Sequence, residues 1–213
     1  MKRISLPAHV SKLAVSALVL AGLSGCGSIQ PLPSDTFYRL NIVPKVDARS
    51  DGQIWTDKTV RVAKFRASGV HRERAIAYTE SDQVVVKQHR YHLWIDSPER
   101  ILQNELVRYL RAVGVAPAIT ASDLGNDGFV IQGQIHQMDH VISADGARVV
   151  VAVAFELVQQ DSGKALVLGT EYRESRPTSG SDMTAVAAAI SDAVGIIFEQ
   201  FVTDAGDALN HRS

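Results

Sequence analysis

The chain has 213 residues, 46% hydrophobic and 21% charged, with 22 Lys and Arg against 23 Asp and Glu for a formal charge of −1. That balance excludes a strong electrostatic pull on nucleic acid or anionic lipid heads. A single cysteine, Cys26, excludes an intrachain disulfide framework.

The segment Met1 to Gly25 reads as a signal peptide. Lys2, Arg3 and Lys12 supply positive charge, Leu13 to Leu23 is an apolar stretch, and Ser24 and Gly25 are small. Such a stretch has signal-peptide length and falls short of the ~18 residues that span a bilayer. Leu23-Ser24-Gly25-Cys26 resembles the lipobox of bacterial lipoproteins. That resemblance implies a diacylglycerol thioether on Cys26, cleavage before it and acylation of the new amino group. Removing Met1 to Gly25 takes the formal charge from −1 to −4, because the segment carries three cations and no acid. What is left is enough chain for one domain with a sizeable core, expected over residues 36–213.

Gly27 to Asp35, with Pro31 and Pro33, reads as an extended tether. Nine residues reach at most about 30 Å, so the domain stays close to its membrane. Gly27, rather than Asp, follows the lipidated cysteine. By the enterobacterial sorting rule this favours the outer membrane, facing the periplasm, over inner-membrane retention. No later segment reads as a transmembrane candidate, since the longest apolar run, Val149 to Phe155, has strand length.

Thr36 to Val43 is β-branched and aromatic and predicts a first strand. A polar loop, Asp47 to Thr56, precedes an alternating strand over Thr59 to Phe65. Ser68 to Arg74 is a charged loop. Ala75 to Thr79, Gln83 to Gln88 and Tyr91 to Ile95 predict short strands, the first two joined by a turn at Glu80-Ser81-Asp82. Asp96-Ser97-Pro98-Glu99 combines a capping residue, a first-turn proline and a glutamate three positions on. Ile101, Leu102, Leu106, Tyr109, Leu110 and Val113 then share one helix face, and Gly114 is the stop.

Phe129 to His136 predicts a strand with Phe129, Ile131, Gly133 and Ile135 on one face. Asp145-Gly146 is a hairpin turn. Arg148 to Gln159 is apolar on both faces near its middle, which predicts a central strand covered on both sides or one face meeting a partner. Asp161-Ser162-Gly163 turns the chain into Ala165 to Glu174, and Thr178 to Asp182 caps a last helix running to about Ala208. In that helix Met183, Val186, Ile190, Val194, Ile197, Phe201 and Ala205 form a stripe, and Gly195 inside it points to close packing. The fold class is α+β: a mainly antiparallel sheet with two helices packed on one face.

No polar constellation demands a catalytic explanation, and no catalytic, cofactor-binding or metal residue is assigned; the one site residue is the lipidated Cys26. His89 and His92 have metal-like spacing, but an odd interval puts them on opposite faces of a strand. His136 and His140 share a face about 13 Å apart, and solvated strand histidines are the expectation. Trp94 is expected to pack against the helix at Pro98. Trp55, in a polar loop, is a candidate contact for a partner or membrane interface. His71-Arg72-Glu73-Arg74 reads as a solvated loop. Asp161-Ser162-Gly163-Lys164 is similar to the end of a phosphate loop but lacks its first glycine and its Ser/Thr.

Several motifs carry a family resemblance in their order: the lipobox, Phe37-Tyr38-Arg39-Leu40, Ala77-Tyr78, Tyr91-His92-Leu93-Trp94 before Pro98, Ile131-Gln132-Gly133-Gln134-Ile135, Glu156-Leu157 and the closing alanine-rich helix. Together they resemble the ABC-type transport auxiliary lipoproteins, the PqiC/YmbA-like or DUF330 family. His71-Arg72-Glu73-Arg74 departs from it, standing where the family often has an apolar pair. The resemblance implies a non-enzymatic component of an MCE-type system that moves lipids or other hydrophobic molecules across the envelope. Its partners would be an MCE-domain protein and the outer membrane, with a homo-oligomeric ring as a further implication. A different class stays open: an assembly or regulatory lipoprotein acting on a peptidoglycan synthase or an outer-membrane β-barrel. A periplasmic hydrolase would need a convergent polar cleft.

Overall fold

The computed structural model describes residues 33–44, 54–80, 84–122, 127–160, 163–178 and 182–211. The signal peptide, Cys26, most of the tether and the turns expected at 81–82, 161–162 and 179–181 lie outside the described residues. Asp35–Ser213 forms one unit by its internal contacts.

The strands are β1 (Thr36–Tyr38), β2 (Thr59–Val62), β3 (Arg66–Ala67), β4 (Ala75–Glu80), β5 (Val86–Trp94), β6 (Ala118–Thr120), β7 (Phe129–Ser143), β8 (Gly146–Gln159) and β9 (Ala165–Thr178). The helices are α1 (Pro98–Val113) and α2 (Met183–Asn210), and a 3-10 turn covers Gly69–Arg72. The spine is β7. One of its edges pairs along its length with β8, and β8 pairs with β9, both antiparallel. Its other edge is shared by β2, β3 and β4 in series, all parallel: Val60 opposite Phe129, Arg66 opposite Gln134 and Ala77 opposite Asp139.

The expectation of a mainly antiparallel sheet is corrected by these pairings. The sheet is mixed, and among the described residues five of its eight strand pairings are parallel. The antiparallel meander follows from local turns. Four of the five parallel pairings join strands on either side of α1, a return that a short turn cannot make, and the fifth, β1 with β5, is closed by the long excursion through β2, β3 and β4. Further differences are local. The first predicted strand shrinks to three residues, the two predicted before Pro98 fuse into β5, and β6 was not expected.

The two helices and one sheet face do form a single core. Val149, Val151, Val153, Phe155 and Leu157 are buried on that face, with Val60, Val62, Ile131 and Ile135 beside them. Leu102, Leu106 and Leu110 of α1 and Val186, Ile190, Val194, Ile197 and Phe201 of α2 close over it. Phe155 stacks on Phe201 at 4.5 Å between centroids, and Tyr109 meets Phe198 edge-on, joining the two helices. By length and composition α2 is apolar enough to cross a membrane, contrary to the sequence reading, but 61% of its most apolar window is buried inside the domain. Its hydrophobicity is that of a core helix.

Caps explain where the helices start and stop. Gly114 has φ 78°, and its N–H donates to Leu110 O at 2.9 Å, a left-handed cap that glycine adopts without strain. Asp182 Oδ1 accepts from Thr184 N at 2.9 Å. The expected capping box at α1 does not form. Asp96 Oδ1 accepts from Ser97 N, and Glu99 turns instead toward β3, accepting from Ala67 N at 3.2 Å and pairing with Lys64 at 3.3 Å. A Cβ at Gly195 would meet only Ile42 Cγ2, at 3.5 Å. That is an ordinary contact, so close packing does not account for this glycine.

Candidate functional site

The lipidation residue Cys26 lies outside the described residues, but its point of entry into the domain is defined by β1. This strand pairs in parallel with β5: Thr36 opposite His92, Phe37 opposite Leu93 and Tyr38 opposite Trp94. Tyr38 Oη and His92 Nδ1 lie 2.9 Å apart, and Arg74 sits 5.2 Å from the centre of the Phe37 ring. The entry strand is therefore held by backbone pairing, a hydroxyl–imidazole bond and a cation–π contact. Trp94 beneath it is buried, as expected.

Behind this edge lies a histidine cluster. His89 and His140 stack with centroids 5.7 Å apart, their Nε2 and Nδ1 atoms separated by 3.4 Å, and His92 meets His89 edge-on at 5.9 Å. Tyr78 packs on the other side of His89 at 4.5 Å. Two expectations fail here. The register of β5 against β4 is irregular between Ala75 and Ala77, which brings the rings of His89 and His92 together. An irregularity in β7 between Ile135 and Gln137 reverses the alternation, placing Met138 and His140 on the core side. His140 is therefore 1% exposed, whereas His136 stays outside and pairs with Glu171 at 2.9 Å. Burial lowers the pKa of His140, and burial with the neighbouring His140 and His92 lowers that of His89 to about 4. Both rings are neutral at pH 7. Among the described residues no group of three or more His, Cys, Asp or Glu is arranged to hold a metal ion.

The loop at His71 is also built in. His71 Nε2 lies 2.7 Å from Asp139 Oδ1, with both side chains largely buried. Gln137 donates to Asp139 Oδ2 at 2.8 Å and accepts from Arg173 at 2.6 Å. This network ties the 3-10 turn to β7 and β9 and corrects the reading of a merely solvated loop. Trp55, a candidate contact for a partner or membrane interface, is instead 9% exposed and packs edge-on against Phe201 at 6.0 Å. Its backbone N–H donates to Val115 O. It is a core residue carried on a polar loop.

A cleft of ≈ 270 Å³ lies between the segment after β1 and α2, lined by Asn41, Val43, Tyr109, Ser191, Gly195 and Glu199. It falls below the ~300–1,000 Å³ of common small-molecule sites. Ser191 is occupied structurally, accepting from Asn41 N and donating to Ala187 O. Burial and the nearby Glu199 push the Tyr109 hydroxyl up to about 12, so it stays protonated. The cleft offers polar contacts and no activated nucleophile.

An entry strand is thus held at one sheet edge, over a core closed by two helices. Residues 38–201 match the family described as ABC-type transport auxiliary lipoprotein component. The chain belongs to this family. The transport auxiliary lipoproteins are named for an accessory role. The fold is shared with the crystal structure of protein XCC0632 from Xanthomonas campestris, of the DUF330 family, at 15% identity and a TM-score of 0.72, covering 84% of this chain and 99% of that one. A second crystal structure, of an uncharacterized protein, aligns at 14% identity and a TM-score of 0.64, covering 81% and 99%. No curated protein matches the chain. Composition and periodicity could not have revealed the histidine cluster, because two strand irregularities create it.

Proposed function

We propose that this auxiliary lipoprotein is anchored by lipid on Cys26 and serves an MCE-type ABC transporter that moves lipids or other hydrophobic molecules across the cell envelope. The observation that carries this reading is the family match over residues 38–201, directly behind the Leu23-Ser24-Gly25-Cys26 lipobox. The role is docking and positioning rather than catalysis. Lipid on Cys26 supplies the anchor, Gly27 favours the outer membrane, and the tether limits reach to about 30 Å. The MCE-domain protein is the proposed partner, with a homo-oligomeric ring as the form in which several copies meet it. Strand edges suit such contacts, and β9 pairs only with β8 among the described residues. Affinity capture of the lipidated protein from crosslinked envelope membranes is expected to recover an MCE-domain protein or its permease and ATPase subunits. Recovery of none of them, with the bait intact, overturns the reading.

A further inference from the structure

Val84, Val85 and Val86 are three successive aliphatic side chains, 99%, 56% and 37% exposed. They lie where the chain returns from β4 and leads into β5, which starts at Val86. Single exposed apolar residues are ordinary, but a contiguous run at a tip is a contact surface. Of the charges flanking the run, Glu80 and Lys87 pair with each other at 2.9 Å, and Asp82 of the turn, outside the described residues, is the acid that remains.

Strand polarity shows which way this tip faces. Because β1 runs parallel to β5, its N-terminal end is directed toward the end of the sheet where β5 begins. Phe37 is level with Ala75 through Leu93, and Val86 is level with Thr79. Four residues of β4 separate those levels, a rise of about 13 Å. Nine residues of tether reach at most about 30 Å, which exceeds that rise. At the opposite end of the sheet Leu166 pairs with Val158, whereas Thr79 is level with Arg148 through Val141. Leu166 therefore lies about 35 Å of strand rise from the level of Val86.

We propose that Val84, Val85 and Val86 form a membrane-interface contact that seats the lipidated domain on the bilayer surface with this end of the sheet facing the lipid. The inference rests on lipid attachment at Cys26 and adds an orientation to it. Three valines insert shallowly and add to the acyl anchor rather than replace it.

The test uses the full mature lipoprotein, purified from membranes and reconstituted into liposomes of phosphatidylethanolamine and phosphatidylglycerol. An environment-sensitive fluorophore is attached in separate preparations through Val84→Cys, Val85→Cys and, at the far end, Leu166→Cys. Flotation with the liposomes reports the anchor independently. Labels at 84 and 85 are expected to shift to the blue and to be quenched about twofold or more by nitroxide-bearing lipid, and the label at 166 to do neither. A floating protein whose labels at 84 and 85 behave like the label at 166 overturns the orientation and leaves the anchor standing. Failure to float overturns the anchor and the orientation with it. Blue shifts that appear only after envelope proteins are added identify a protein contact and overturn the membrane assignment.

Discussion

Phe65 fills the space that a side chain at Gly133 would need. A Cβ built on Gly133 lies 2.7 Å from Phe65 Cζ and closer still to the Cδ1–Cε1 edge of the ring. Phe65 is 1% exposed and packs edge-on against Phe155 at 5.6 Å. Gly133→Ala is expected to destabilise the domain by about 1–3 kcal/mol, the range for overpacking a core. Adding Phe65→Leu should recover part of that loss, because the two sites share one volume. Urea unfolding midpoints of the two single variants and the double variant measure the coupling; strict additivity would contradict the shared-space account.

Glu99 holds the start of α1 to β3 through its hydrogen bond from Ala67 N and its pair with Lys64, and Arg72 approaches within 3.9 Å. Glu99 is 8% exposed, while Lys64 and Arg72 are mostly exposed. The buried end of this cluster therefore matters more than its charge count. Glu99→Ala leaves the Ala67 donor without its acceptor and is expected to cost about 1.5–3 kcal/mol, the range for a hydrogen bond to a charged group. Glu99→Gln keeps an acceptor and should cost less. Thermal unfolding at neutral pH ranks the two.

The lipid anchor makes a covalent prediction. Cells given labelled palmitate are expected to label the wild-type protein and not Cys26→Ala, the latter keeping its uncleaved signal segment and migrating more slowly on a gel. Equal labelling of the two proteins would remove the anchor from the proposed function.

What was legible in the sequence is what local chemistry encodes. Asp145-Gly146 and the turn at Gly163 specified the β7–β8–β9 meander, and Pro98 and Gly114 bounded α1. The parallel half was not legible, because nothing local joins Val60 to Phe129 or Ala77 to Asp139. Counting alternation from Phe129 puts His140 outside; the irregularity after Ile135 brings it in. Trp55 escapes a sequence reading because the loop around it, Ile54 apart, is polar, while its neighbours in space include Phe201. The tether and its cysteine are read from a motif alone, and the orientation of β1 comes only with the fold.

Gly195 lies inside α2, and its Cβ position is open to within ordinary contact of Ile42. A glycine there costs helix stability without a steric return. Gly195→Ala is therefore expected to stabilise the protein by about 0.5–1 kcal/mol. The change also adds a methyl to the lining of the cleft beside Tyr109 and Ser191. Denaturant unfolding gives the sign, and a destabilised variant would show that the segment at Ile42 cannot accommodate the methyl.

The histidine cluster makes stability depend on pH in a defined direction. His89 titrates near pH 4 in the folded protein and near its ordinary 6.5 when unfolded, because burial and the neighbouring His140 and His92 disfavour its cation. His140 is shifted the same way by burial. The unfolded state therefore binds more protons between pH 6.5 and 4, and stability must fall as pH falls through that window. Above pH 6.5 the rings are neutral in both states and contribute no slope. The groups packed around His89 are Tyr78, His92 and His140, with no carboxylate among these ring contacts to favour its cation. His89 is only half-buried, so its share of the loss is put on the order of 1–2 kcal/mol rather than the full value of the shift. Urea midpoints measured from about pH 7.5 to 4.5 should decline for the wild type and decline less steeply for His89→Gln, whose side chain does not titrate. Parallel curves for the two proteins would assign the acid sensitivity to carboxylates elsewhere and remove His89 from the account.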